Sequence, residues 1–440
     1  MKKIIGALAL ASLTLGIASA DVNFTLNYRT QMSAFSRVMS KNATTDGKSG
    51  DGIDPYVSHL FSHKGYGSSA DNFSIKVSND IAGATFRVDP DAANEAFTYD
   101  STGKTGEHLK EYNGYIKIGN LTVSAGLFDG KMNGGYQLKS DADASNLGGE
   151  TFAAYKLGSI FKGAITTQVD DITSFKGKQA LTGFVSYDAA FGDSKVTVDA
   201  AAIGLNGNGF GGSADVKSGF ALRLNAVVSK DLSAQFIIKQ AADNERALAL
   251  HVQPTFGNLK VTLGGALGFN TGDLEEYNAD IRLYYKAGPF SFTSMNTISR
   301  RSDTATVSSA DYAKHVGAYY TNTSNALKSV NNAASNRAMW NVVAIRYAVS
   351  DALAITAEAG DIIGFKSNGK TFRDDYGVEA FVAPGLQIFA GKNCSISTCA
   401  RFGFSNLLLD SDAHGVKDSG KYENVGVTSL LVPVVFRVKL

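Results

Sequence analysis

The residues whose types and spacing suggest chemistry are few. Gly364-Phe365-Lys366-Ser367-Asn368-Gly369-Lys370-Thr371 matches the phosphate-loop pattern G-x4-G-K-[ST] letter for letter. That loop works where a strand runs into a helix whose first amides cradle phosphate. Here Thr371 leads towards Tyr376, Gly377, Val378, Glu379 and Ala380, which read as another strand, so only the letters agree. His59 and His63 have the spacing of a metal pair on a helix, but Gly65 and Gly67 follow in a polar stretch that favours solvated histidines. Asp46, Asp51 and Asp54 lack calcium-loop spacing, and Gly204–Gly212 lacks the dinucleotide fingerprint. No Ser, His and acid grouping stands out. No catalytic residue, metal set or cofactor is assigned, and a barrel enzyme is disfavoured.

The elements that carry these residues follow from composition and period. The chain has 440 residues with 44% hydrophobic, 19% charged, 46 Gly and a formal net charge of +1. A nucleic-acid binder needs a basic excess to neutralise phosphates, and none is present. Mean hydropathy is −0.06, and beyond position 20 no apolar run reaches the ~18 residues of a membrane helix. Charge below the average of about 25% and Gly above the usual ~7% favour a β-rich chain with many turns.

Residues 1–20 form a secretory signal peptide: Lys2 and Lys3, an apolar Ile4–Ile17, then Ala18-Ser19-Ala20 before Asp21. Its removal takes the net charge from +1 to −1. Export to an oxidising compartment makes a small disulfide-closed loop the leading expectation for Cys394 and Cys399, ahead of free thiols or a metal pair.

From Asp21 the dominant period is two. Val22, Phe24, Leu26 and Tyr28 alternate with Asn23, Thr25, Asn27 and Arg29; Phe73, Ile75 and Val77 alternate with Ser74 and Lys76. Only a strand places such a set on one face. Nine tight turns are read at Asn79-Asp80, Gly119-Asn120, Gly158, Gly192-Asp193, Lys230-Asp231, Gly257-Asn258, Gly288-Pro289, Ser350-Asp351 and Pro384-Gly385. Between them lie longer connections at 35–71, 89–110, 129–149, 204–217, 300–335 and 391–420. Short turns at one end and long loops at the other describe a transmembrane antiparallel up-and-down β-barrel. Nine hairpins plus a strand at each terminus predict about twenty strands, with a range of about 16–22, in a single domain over 21–440. A soluble β-sandwich shows the same alternation, but its strands are shorter and its loops are not long at one end alone.

With the apolar set outward, the inner wall is polar. Its basic members are Arg29, Lys76, Arg87, Lys117, Lys162, Lys195, Arg223, Lys239, Lys260, Arg282, Arg346, Arg437 and Lys439. The acidic members are Asp89, Asp199, Asp280, Glu358, Asp375 and Glu379. So many charges are untenable in a packed core and cost little facing water, which predicts a wet channel. The basic bias predicts mild anion preference. Taken singly, each charge also reads as a solvated face with no transport role.

The signal peptide, the alternating first strand Val22–Met32, the nine hairpins and the ending Val432, Val434, Phe436, Val438 and Leu440 resemble a bacterial outer-membrane porin. The resemblance covers the mature chain and departs from the family in ending with Leu rather than Phe. It implies a multi-pass barrel in the cell outer membrane, contact with outer-membrane lipid, and handling of the last strand by barrel-assembly machinery. It also implies that the loop between the fifth and sixth strands folds inward. By position that segment is Asp129–Gly149, with Asp129, Lys131, Lys139, Asp141 and Asp143 opposing wall cations such as Arg87 and Lys117; the longer loops 35–71 and 300–335 are competing candidates. The outward Tyr, Phe and Leu suit lipid contact or a homo-trimer interface. The expected function is passive diffusion of small hydrophilic solutes and ions, and the alternative is a surface antigen or adhesin displaying its loops. A plugged transporter is disfavoured, because no globular segment precedes Val22.

Overall fold

The computed structural model describes residues 21–40, 44–45, 48–49, 52–54, 72–88, 109–128, 181–212, 216–242, 244–300, 335–366, 377–391, 394–405 and 427–439. Among these, eighteen strands form the main sheet. They are β1 (Asp21–Ser40), β2 (Asn72–Ser78), β3 (Ala82–Val88), β4 (Leu109–Ile118), β5 (Leu121–Leu127) and β6 (Thr182–Phe191). Then come β7 (Ser194–Ile203), β8 (Gly219–Ser229), β9 (Leu232–Ala241), β10 (Arg246–Phe256), β11 (Leu259–Asn270) and β12 (Asp273–Ala287). The last six are β13 (Phe290–Arg300), β14 (Ser335–Ser350), β15 (Leu353–Lys366), β16 (Gly377–Gly391), β17 (Cys394–Cys399 continued by Arg401–Ser405) and β18 (Val427–Lys439). A three-residue piece, Gly52–Asp54, adds to the end of β1.

Every strand pairs antiparallel with its neighbour in the chain, and the pairing returns to its start. β1 bonds β2 through Asp21–Asn27 and bonds β18 through Asn27–Ser40. The ring therefore leaves no long edge, which is the condition for a sheet in hydrocarbon, where an unpaired amide costs several kcal/mol. Eighteen strands lie within the expected range but below the expected twenty. The difference is the hairpin at Gly158, which lies outside the described residues. β5 pairs directly with β6, Leu121 facing Tyr187 and Gly126 facing Thr182, so among the described residues the ladder passes straight from one to the other.

One end of the barrel carries eight connections of two or three residues. Gly119 and Gly257, at φ +59° and +58°, each take the first position of a two-residue turn, a left-handed conformation that glycine adopts without strain. Asn79 Oδ1 accepts from the amides of Ile81 (2.9 Å) and Ala82 (2.7 Å), closing the β2–β3 turn from its own side chain. The other end carries the longer connections, with two exceptions: β9–β10 needs only 242–245 and β11–β12 only 271–272.

The turn expected at Pro384-Gly385 is absent; both residues lie inside β16. The carbonyl of Pro384 accepts from Ala400 N at 2.9 Å, so its ring nitrogen faces β17 as well and has no hydrogen to give in return. The ladder lapses there, and β17 breaks at Ala400 between Cys399 and Arg401. β16 instead meets β17 across 392–393. The loop expected over 391–420 is thereby reduced, since 394–405 is strand, and the one expected over 35–71 begins only after β1 ends at Ser40.

Alternation sets the two faces. On β8, Phe220, Leu222 and Leu224 are exposed while Ala221 and Arg223 are buried. Phe220, Leu222, Leu224, Ala226 and Val228 make four two-residue steps outward, about 27 Å along the strand and about 20 Å of height at barrel tilt. The same exposed apolar face continues on Leu250, Leu263, Leu267, Ile281, Val343, Ile345, Ile355, Val382, Leu386 and Ile388. In water a band this wide is untenable for a monomer. Against acyl chains it is what the barrel requires.

Candidate functional site: the inner wall

The inward residues fall into two zones. Near the short-turn end they are open. Lys76 and Lys117 are exposed, and Lys117 Nζ stands 5.6 Å over the Tyr115 ring. Lys195 Nζ meets Asp188 Oδ2 at 2.9 Å, with about half of each side chain exposed, and Thr197 Oγ1 donates to Asp188 Oδ1 at 2.6 Å. Lys260 and Arg346 are half-buried, as is Arg87, which stands towards the longer-connection end of β3 opposite Glu111. Arg346 Nε donates to Gln387 Oε1 at 3.0 Å, and its guanidinium lies 5.5 Å over the Phe389 ring.

At mid-height the wall charges are buried, which corrects the expectation that all of them face water. Asp199 and Arg223 are both 0% exposed. They are direct cross-strand partners on β7 and β8, and Asp199 Oδ2 takes Arg223 Nη2 at 2.7 Å and Nε at 2.8 Å. Asn225 Nδ2 adds a third contact to that oxygen at 3.2 Å, and Gln235 Nε2 donates to Asn225 Oδ1. Charge burial is tolerated here by pairing rather than by solvation. Arg223 Nη1 and Asp199 Oδ1 make no hydrogen bond with the described residues.

A second cluster lies on β12. Asp280 Oδ1 accepts from Thr297 Oγ1 at 2.6 Å and Oδ2 from Asn278 Nδ2 at 2.8 Å, while Arg282, two residues on along the same face, is 2% exposed. Glu276, Lys239, Glu358 and His251 are buried inward as well. Gly264 faces His251, and a side chain there would strike the imidazole, so the glycine makes room for the ring. Between the clusters the wall is small and apolar: Ala201, Ala221, Ile237, Ala247, Ala249 and Ala266, each 5% exposed or less.

Arg29 pairs in register with Arg437 across the β1–β18 seam. Lys162 and the segment with Asp129, Lys131, Lys139, Asp141 and Asp143 lie outside the described residues, as do residues 1–20. Asn225, Gln235, His251, Glu276, Asn278 and Thr297 escaped the sequence reading. Each has the parity of a charged neighbour on its own or an adjacent strand, which is the signal that would have found it.

The expected Cys394–Cys399 disulfide is contradicted. Both cysteines are free and sit at opposite ends of one extended six-residue strand segment, five steps or about 16 Å apart. A disulfide needs Cα atoms within about 7 Å. Five steps is odd, so the two also point to opposite faces: Cys399 is buried beside Gly385 inside, and Cys394 pairs with Val438. We expect thiol titration of the denatured chain to give two free thiols with and without reductant; a count of zero before reduction would contradict this strand.

No family model matches the chain, and no curated protein matches it in sequence. Among solved structures it is similar to OpdL of Pseudomonas aeruginosa, at 9% identity and a TM-score of 0.48, covering 96% of this chain and 99% of that one. It is also similar to Pseudomonas aeruginosa OccK3 (OpdO), at 10% identity and a TM-score of 0.47, covering 96% of each chain. OmpT, an outer membrane protein of Vibrio cholerae, gives 12% identity and a TM-score of 0.41 over 95% of this chain and 97% of that one.

Proposed function

We propose that the chain is a porin of the bacterial outer membrane that passes small hydrophilic solutes and ions by diffusion. One observation carries this: a ring of eighteen paired strands with an apolar outer face and a charge-bearing inner one. The inward side chains are exposed towards the short-turn end, at Lys76, Lys117 and Lys195, and buried at mid-height, where Asp199 pairs with Arg223. Selection by size and charge belongs at that level. The open-zone cations favour anions, and the segment Asp129–Gly149 is given the role of the inward loop. The signal peptide directs export, the β18 ending is read by assembly machinery, and the outer face serves lipid or a trimer contact.

Planar-bilayer recording tests the proposal. We expect stepwise, nearly ohmic currents and a reversal potential in a salt gradient displaced towards the anion potential. Replacing Lys117 and Lys195 by Glu should move that potential towards cations. Absence of current from a heat-modifiable barrel would favour a display barrel, and strong cation selectivity of the unaltered chain would defeat the anion preference.

A further inference from the structure

One row of the outer face breaks the apolar pattern at mid-height. Val252, Leu263, Ile281, Asn296, Asn341 and Asp361 are successive direct neighbours from β10 to β15. Ile281 stands midway between Tyr277 and Tyr285, two outward tyrosines of β12 at the levels where aromatic rings border a membrane. The last three residues of the row face outward. Met295 and Thr297 beside Asn296, and Val342 beside Asn341, are buried inward. Ile298, Val343 and Ile355, at even steps along the same three strands, are exposed. Ser294, two residues below Asn296, continues the strip. Asn296 Nδ2 donates to Ser294 Oγ at 3.1 Å, and Asn341 Nδ2 donates to Asp361 Oδ1 at 2.8 Å. No other outward row among the described residues holds three polar side chains in succession.

Amides and a carboxyl are costly against acyl chains, and such groups at membrane depth mark a surface turned to something other than lipid. The bonds within the strip leave each asparagine a second amide hydrogen and leave Asp361 its second oxygen. Donors and acceptors therefore stand side by side, and the strip complements itself. It spans two strand spacings, about 10 Å, with Asn341 in the middle. Ala357 and Ala359, the outward residues below Asp361 on β15, are short enough to let another wall approach. A two-fold contact sets one patch against its own copy, so that polar groups meet polar groups. A three-fold contact joins two different patches, and the leucines and isoleucines of the remaining described belt offer the strip no hydrogen bond.

We infer that two copies of this chain associate in the membrane through β13, β14 and β15, about a two-fold axis along the membrane normal that passes beside Asn341. The contact rests on the proposed placement of the barrel in the outer membrane, and it specifies a dimer in place of a trimer. Its test uses the full chain in phospholipid vesicles, carrying Cys394→Ser and Cys399→Ser, with Asn341→Cys as the probe. Oxidation by copper phenanthroline should join Asn341→Cys chains into a species of twice the mass, whereas Leu250→Cys, in the leucine belt, should stay at the mass of one chain. Adding Asn296→Leu and Asp361→Leu should reduce the Asn341→Cys product about tenfold, the effect of two or three membrane hydrogen bonds. Absence of the doubled species, equal products from positions 341 and 250, or a product unchanged by the two further replacements would each overturn the contact. Single-channel conductance of the same preparations reads the porin assignment separately. A conducting chain with no product at 341 loses the dimer and keeps the porin, and a cross-linked chain that passes no current does the reverse.

Discussion

Replacing Asp199 by Ala is expected to cost about 3–5 kcal/mol, the usual penalty for leaving one member of a buried ion pair uncompensated. Arg223 is 0% exposed and its Nη2 and Nε both meet Asp199 Oδ2, so its charge would lose the carboxylate that balances it. Asn225 would lose its acceptor in the same step, which loosens the hydrogen-bonded run to Gln235 on β9. The double replacement Asp199→Ala with Arg223→Ala removes both charges and should lose less than the sum of the single changes, with a coupling of at least about 1 kcal/mol. Reversible urea unfolding in lipid vesicles measures all three variants. Additive losses would show that the two charges are held by something other than each other.

The second large effect lies on the opposite face. Leu250 is 55% exposed, and its direct neighbours Phe236 and Gly265 share the outer face. For a protein in water, Leu250→Arg would be nearly neutral, since surface changes usually fall within about 0.5 kcal/mol. In hydrocarbon the same change should cost about 2–4 kcal/mol near the midplane, falling towards the interfaces. The accompanying change Phe220→Arg, at the longer-connection end of β8, should therefore cost less. The ordering of these two variants, measured by the same unfolding experiment, reads depth along β8–β10. Equal and small losses at both positions would place the apolar band in water.

What was legible beforehand follows from what a period of two encodes. Parity is a property of one strand by itself, so Lys76, Lys117, Lys195, Arg223 and Arg282 could be placed on one face from the spacing of their apolar neighbours. Pairing is a property of two strands and their register. Nothing in the letters says that Asp199 meets Arg223, or that β5 bonds β6 directly past more than fifty intervening residues. Parity alone therefore leaves the wall as a row of separate charges and leaves open which strands become neighbours. Pro384-Gly385 misled for a related reason: the dipeptide signals a turn, yet a strand accepts proline where the neighbouring ladder has lapsed. Cys394 and Cys399 misled because sequence distance was read as loop length, whereas an extended strand turns five residues into a separation no disulfide spans. Neutral inward groups such as Asn225 and Gln235 carry no charge to mark them, so only their parity with Arg223 and Lys239 places them on the wall.

The account depends on the two faces of each strand meeting different solvents. The direct test places a tryptophan at adjacent positions, with native Trp340 replaced by Phe, and reconstitutes each variant in phospholipid with brominated acyl chains. Tryptophan at Ile116, Val196 and Leu250 should be quenched strongly, and tryptophan at Lys117 and Lys195 only weakly. Equal quenching within the pairs 116/117 and 195/196, or none at any position, would contradict a barrel whose outer side chains touch lipid while the inner ones do not.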